Sequence, residues 1–161
     1  SFFPYDFSTI YKPIIIDSGI TPNLAATGVM ATLTDSKFVI AGRDANTMGA
    51  YLWLFTVDAD DHLILSTTSL PFNGAGTTNG FSITTLDLNR VLIAYNNDTT
   101  GKGMYNIATI TGTSIEITPP IEFHPESVSS ITVAALTPSK VILAYQDSNL
   151  NDCVASCILY N

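Results

Sequence analysis

Three polar pairs recur through this chain at a spacing of about fifty residues: Arg43-Asp44, Asn96-Asn97 and Gln146-Asp147. The second and third pairs directly follow Tyr95 and Tyr145. Planar amides and carboxylates each make two directional hydrogen bonds, and a Tyr ring offers a flat apolar surface with a polar tip. That is the chemistry a sugar ring or another small polar ligand requires. Arg43, Asp44, Tyr95, Asn96, Asn97, Tyr145, Gln146 and Asp147 are therefore the candidate ligand-binding residues. Asn and Asp also cap turns through side-chain-to-backbone bonds, and one residue can serve both roles.

Other reactive-looking groups fail on context. Asp58-Ala-Asp60-Asp61-His62 brings metal-binding residue types together, but it falls in a turn and lacks further ligands at suitable spacing, so it reads as an exposed acidic turn. Gly74-Ala-Gly76-Thr-Thr-Asn79-Gly80 echoes a phosphate loop with the wrong spacing and no following helix. His62 and His124 have no nucleophile near them in sequence, and no G-x-S-x-G or H-E-x-x-H motif occurs. No catalytic residue, metal ligand or cofactor site is assigned. Trp53 sits in the aromatic strand Tyr51-Leu-Trp-Leu-Phe55 and reads as packing. Asn97-Asp98-Thr99 is a single match to a glycosylation acceptor.

The elements that must position these residues follow from a longer repeat. Leu33-Thr-Asp-Ser-Lys37-Phe-Val-Ile-Ala41, Leu86-Asp-Leu-Asn-Arg90-Val-Leu-Ile-Ala94 and Leu136-Thr-Pro-Ser-Lys140-Val-Ile-Leu-Ala144 align position by position. Each has Leu, three turn residues, a basic residue, three large apolar residues and Ala. Apolar runs rich in Thr, Ile, Val and aromatics alternate with turn clusters, and no long segment keeps a helical period. The runs predict strands over 29–33, 38–42, 51–57 and 63–66, over 82–86, 91–95, 104–110 and 115–117, and over 132–136, 141–145 and 153–160. Four strands per fifty residues is the size of one propeller blade, and the chain resembles the β-propeller class over nearly its whole length. The resemblance implies an all-β fold with three four-stranded blades per chain, in repeats of about 26–72, 76–123 and 126–161.

The third repeat supplies three strands, and 8–17 is the expected donor of the fourth. Thr9-Ile-Tyr-Lys-Pro13-Ile-Ile-Ile16 resembles Ile115-Glu-Ile-Thr-Pro-Pro120-Ile-Glu-Phe123, with Pro before the last apolar triplet in both. The second strand of each repeat is apolar on both faces, which implies cover on both faces. Propellers close with four to eight blades, so three blades predict a homodimer forming a six-bladed ring, with the N-terminal strand exchanged between subunits. A larger homo-oligomer is the alternative. Two-blade-per-chain fucose-binding lectins pool blades in this way; their repeated tryptophans are missing here, and no residue is carried over from them.

Chain direction sorts the loops. The Leu-x-x-x-basic turns lie on one face, where Asp35 and Asp87 offer partners to Lys37 and Arg90. The loops after each second strand and the blade connections lie on the other. That second face, rich in Asn, Asp, Gly, Thr and Ser, carries the candidate site.

Composition narrows the partners. Charged residues are 12% of the 161, hydrophobic residues 46%, and the net charge is −8. With six basic residues there is no footprint for nucleic acid. No apolar run reaches the roughly 18–20 residues of a membrane helix. No secretory leader is visible, and Ser1 in first place implies removal of Met or cleavage of a precursor. Cys153 and Cys157 lie on one face of a strand, roughly 13 Å apart by rise per residue, and so are expected as buried free thiols rather than a disulfide. Polarity carried by Thr, Ser and Asn suits an extracellular protein or virion surface, although the compartment stays unassigned. The expectation is a non-enzymatic, lectin-like module binding a glycan or a cell-surface receptor. The alternatives are a structural virion or assembly protein, and then a glycoside hydrolase.

Overall fold

The structure, a computed structural model, describes residues 28–44, 49–73 and 78–159. The expected strand at 8–17 and the loop residues 17–27, 45–48 and 74–77 lie outside the described residues. The described chain is all-β, with three antiparallel sheets and no helix among the described residues. Sheet I is the meander β1 (Val29–Thr32), β2 (Lys37–Arg43), β3 (Ala50–Val57) and β4 (Leu63–Thr68). Sheet II holds β5 (Thr78–Asp87), β6 (Arg90–Asn97), β7 (Lys102–Thr111), β8 (Ser114–Ile117) and β9 (Ile121–His124). Sheet III holds β10 (Val128–Thr137), β11 (Lys140–Asp147) and β12 (Cys153–Leu159).

All eleven expected strands are present, and β9 is an addition. The outer segment after β7 is not one strand. β8 pairs with Ala108–Thr111 and β9 pairs farther along the same strand, with Gly103–Tyr105. Pro119 and Pro120 separate the two, and neither has an N–H to give to the ladder. Beyond the break Phe123 lies over Gly103, where an added Cβ would come within 2.8 Å of the ring.

The aligned repeat is a hairpin with one turn chemistry used three times. Thr34 Oγ1 accepts from Ser36 N at 3.3 Å, Asp87 Oδ1 from Asn89 N at 2.9 Å and Thr137 Oγ1 from Ser139 N at 3.3 Å. Each acceptor follows the repeated Leu, and each donor precedes the basic residue. These side chains satisfy the N–H two residues on, so the chain reverses at that point. The Asp87 carboxylate also accepts from Arg90 Nε at 2.7 Å, as expected of that basic position. Burial opposes ionisation of Asp87. The Asn89 N–H and the Arg90 guanidinium outweigh it, and the carboxyl stays below its usual pKa.

The sheets stack face to face with their first strands side by side. Ser82 Oγ accepts from Val133 N and Thr84 Oγ1 from Ala135 N, both at 3.1 Å and both across 51 residues. The Thr85 hydroxyl donates to Thr32 O across 53 residues. The sequence repeat itself runs 53 residues from Leu33 to Leu86 and 50 from Leu86 to Leu136. β5 and β10 thus run parallel, and the contacts between first strands fall within one residue of the repeat offset.

Two apolar layers fill the spaces. Val39, Ala41, Leu52 and Leu54 of sheet I pack with Val91, Ile93 and Tyr95 of sheet II. Leu92, Ala94 and Ile107 of sheet II pack with Val133, Val141, Leu143 and Tyr145 of sheet III. β6 is therefore buried along both faces, as its apolar run predicts. On the far side of sheet I, Tyr51, Trp53 and Phe55 form a third buried cluster with Phe38, Ile40 and Leu65 packed against it. Trp53 is packing, as expected. One expectation is corrected: Cys153 and Cys157 are free but exposed, because they lie on the outward face of sheet III.

Candidate functional site

The ends of β2, β6 and β11 bring the three polar pairs to one side of the molecule, each followed by a loop to the next strand. In the second and third pairs the second member governs that loop. Asn97 Oδ1 accepts from Thr99 N at 3.1 Å and Thr100 N at 3.2 Å. Asp147 Oδ1 accepts from Asn149 N at 2.8 Å and Leu150 N at 3.2 Å. Their carbonyls take the N–H of Gly101 and Asn151, both at 2.8 Å. Those two residues sit at φ +63° and +56°, the left-handed region that Gly and Asn tolerate best. Asp44 N donates to Gly49 O at 2.9 Å in the first loop. Asp44, Asn97 and Asp147 are all buried, so the turn role holds for the two amide and carboxylate braces whose partners are seen.

The first member of each pair reaches sideways. Arg43 Nη1 donates to Asn79 Oδ1 at 3.2 Å, tying the end of β2 to the start of β5. Asn79 Nδ2 donates to one Asp98 carboxylate oxygen, and Asn96 Nδ2 donates to the other. Asn96 Oδ1 in turn accepts from Val128 N at 3.0 Å and Ser127 Oγ at 3.3 Å, tying β6 to β10. Gln146 turns back onto its own sheet, accepting from Ser129 Oγ at 3.1 Å and donating to Asn151 Oδ1 at 2.8 Å. The result is a row of guanidinium, amide and carboxylate groups across the loop ends of three sheets. Asn79, Asp98, Ser129 and Asn151 are exposed, and Arg43 and Gln146 are half-buried.

The two tyrosines separate from this row. Tyr95 lies in the layer between sheets I and II beside Phe72 and Phe81, and its hydroxyl donates to Asn106 Oδ1 at 2.7 Å. Burial pushes its phenol pKa upward. It has no face to offer a ligand. Tyr145 is buried between sheets II and III, with its hydroxyl 3.2 Å from His124 Nδ1 and 3.4 Å from Ser156 Oγ. Phe123 and His124 rings stand 5.2 and 5.1 Å from the Tyr145 ring.

His124 was not legible as part of the site. It reaches Tyr145 and Asp147 only because Pro119-Pro120 releases β9 from β8. Its Nε2 lies 3.0 Å from Asp147 Oδ2, close enough for an ion pair but off the line of an N–H donor. The Asn149 N–H, ahead of an opposing contribution from burial, holds the Asp147 carboxyl below its usual pKa, with help from the Leu150 N–H and His124. Asp147, His124, Tyr145 and Ser156 form a continuous polar chain inside the rim of sheet III.

Two further features lie away from the loop ends. Asp58, Asp60 and His62 present ligand atoms within 4.8 Å of one another in the exposed β3–β4 turn. Asp58 Oδ1 accepts the N–H groups of Asp60 at 2.9 Å and His62 at 2.8 Å, which accounts for the cluster as a turn brace. A groove of about 340 Å³ runs between the outer strands of sheets I and II, walled by Leu70, Pro71, Phe72, Ile115, Ile117 and Pro119. Its hydroxyls, Ser69 and Thr118, are occupied by the N–H groups of Leu52 and Ile107. The chain matches no family model, and no curated protein is similar to it in sequence.

Proposed function

We propose that this protein is a non-enzymatic recognition module that binds a glycan or a surface receptor through the loop ends of its three sheets. The observation that carries this reading is the row Arg43–Asn79–Asp98, held from beneath by the buried Asn96 and continued at Ser129 and Gln146, in which Asn79, Asp98 and Ser129 are exposed. These groups are pre-positioned by one another on strand ends, so little ordering would be lost on binding, and the exposed Asn79, Asp98 and Ser129 keep capacity for a sugar hydroxyl or a peptide amide. The three sheets are read as propeller blades, which parallel first strands at the repeat offset support. Closure by a second copy and by segment 8–17 belongs to the same reading. An extracellular or virion surface setting suits it.

A glycan array probed with the full chain tests the proposal. Binding should fall at least about tenfold in Asn79→Ala and Gln146→Ala, with melting unchanged, as for loss of hydrogen bonds central to a polar contact. The apolar groove and the 86% exposed Leu70 favour the second reading, a structural docking platform in an assembly. Flat arrays together with stable retention on a capsid or tail preparation would support that second reading and overturn the first. Turnover of a chromogenic glycoside would overturn both.

A further inference from the structure

We propose that Asn79-Gly80 is a self-modification site, at which Asn79 loses its side-chain amide to become aspartate or isoaspartate, assisted by Arg43 and Asp98. The proposal goes beyond the reading above and does not depend on a bound ligand. Asparagine precedes glycine at 73–74 and at 79–80. Glycine has no Cβ to shield its own peptide nitrogen, so such a pair lets that nitrogen reach the preceding side-chain carbonyl. Asn73 is buried, with its Oδ1 accepting from Ala50 N at 2.8 Å. Asn79 is exposed to water.

The backbone departs from the regular strand at this point. The pairing of β5 with β6 steps from Asn79–Asn96 to Ser82–Ala94, so Gly80 and Phe81 stand opposite the single residue Tyr95. Gly80 has φ +65°, the left-handed value of a glycine bulge. The residue whose nitrogen must attack thus falls outside the regular ladder, and it is the residue type with the widest backbone freedom.

The side-chain amide is held at both ends. Arg43 Nη1 donates to Oδ1 at 3.2 Å, and Nδ2 donates to an Asp98 carboxylate oxygen. Asp98 is itself fixed by Asn96 Nδ2. Each contact suits one step of the conversion. When the Gly80 nitrogen adds to Cγ, negative charge gathers on Oδ1, where the guanidinium sits. The proton released from that nitrogen passes by way of the Asp98 carboxylate to Nδ2. The Cγ–Nδ2 bond then breaks, and ammonia leaves. Water opens the resulting succinimide at Cγ to give aspartate, or at the Asn79 backbone carbonyl to give isoaspartate. The product sets a carboxylate beside Asp98 where an amide had donated, so the row gains a negative charge and loses a hydrogen bond.

The full chain is aged at neutral pH, folded or in urea, and the two samples are compared by peptide mass spectrometry. Conversion at Asn79 should run at least about tenfold faster in the folded chain, because the assisting groups are positioned only there. It should also outpace Asn73 and give both aspartate and isoaspartate. Asp98→Asn and Arg43→Gln, aged at a temperature where both remain folded, should each slow conversion by about tenfold, less than at a water-excluded site. The comparison with urea needs no variant. Asn79 intact in the folded chain, conversion no faster than in urea, or rates indifferent to both variants would each overturn the proposal. The readout is covalent mass, so its failure and the failure of glycan binding by the loop face are distinguishable.

Discussion

Sheets II and III are built on nearly the same central strand, Val91-Leu-Ile-Ala-Tyr95 and Val141-Ile-Leu-Ala-Tyr145, yet they stand in different surroundings. β6 is buried residue after residue, whereas β11 alternates, with only Val141, Leu143, Tyr145 and Asp147 buried. The cause is not propensity. Among the described residues sheet II has a neighbour on each side, and sheet III has one on a single side. The pair teaches that an apolar run specifies a two-sided strand, and that the stack decides whether the second side is filled.

The largest test of that contrast is truncation on the shared second side. Leu92→Ala removes a buried side chain between two sheets and should cost about 2–5 kcal/mol in urea unfolding. Ile142→Ala, measured at a dilution where the chain is monomeric, should cost less than half as much. Equal losses would mean that the two faces are equally covered, and the contrast would fail.

The tyrosines sharpen it next. Tyr95→Phe strips Asn106 Oδ1 of a buried donor and should cost about 1–3 kcal/mol. Tyr145→Phe should cost less, because its hydroxyl makes only the longer contacts to His124 and Ser156. Matched thermal melts of the two variants decide the order.

A smaller effect separates the loop braces by pH. Asn97 and Asp147 hold equivalent loops, but only Asp147 titrates. Its carboxyl pKa is lowered in the folded chain, so its contribution is present above the unfolded value of about 3.9 and is lost as pH falls through the lower folded value. Asp58 and Asp87 are shifted in the same direction and lose their contributions on the same side. Asp147→Asn should therefore flatten part of the acid limb of the melting curve. An acid limb identical to that of the unaltered chain would remove Asp147 from the account. Asn97→Ala should lower stability by roughly 0.5–1.5 kcal/mol with no change in that limb.

The strands were legible because hydrophobic runs and turn residues act locally. Leu33, Leu86 and Leu136 recur in one frame, and the Thr34, Asp87 and Thr137 turns need nothing beyond two neighbouring residues. The loop braces Asn97 and Asp147 were legible for the same reason. The site was less so. Tyr95 reads like Tyr145 in sequence, and only stacking between sheets I and II puts its hydroxyl on Asn106. The exposure of Cys153 and Cys157 likewise depends on which side of sheet III meets a neighbour.

His124 shows the limit most clearly. Nothing near it in sequence marks it as a partner of Asp147, and the contact exists because β9 is displaced along β7 past two prolines. Local composition and period alone determined that this chain is all-β, is repeated three times and turns where it does, because backbone pairing and turn capping are short-range. Which polar side chains share a surface, and which apolar face stays open, was decided by the order in which the sheets stack, because burial is a property of the neighbour across the gap.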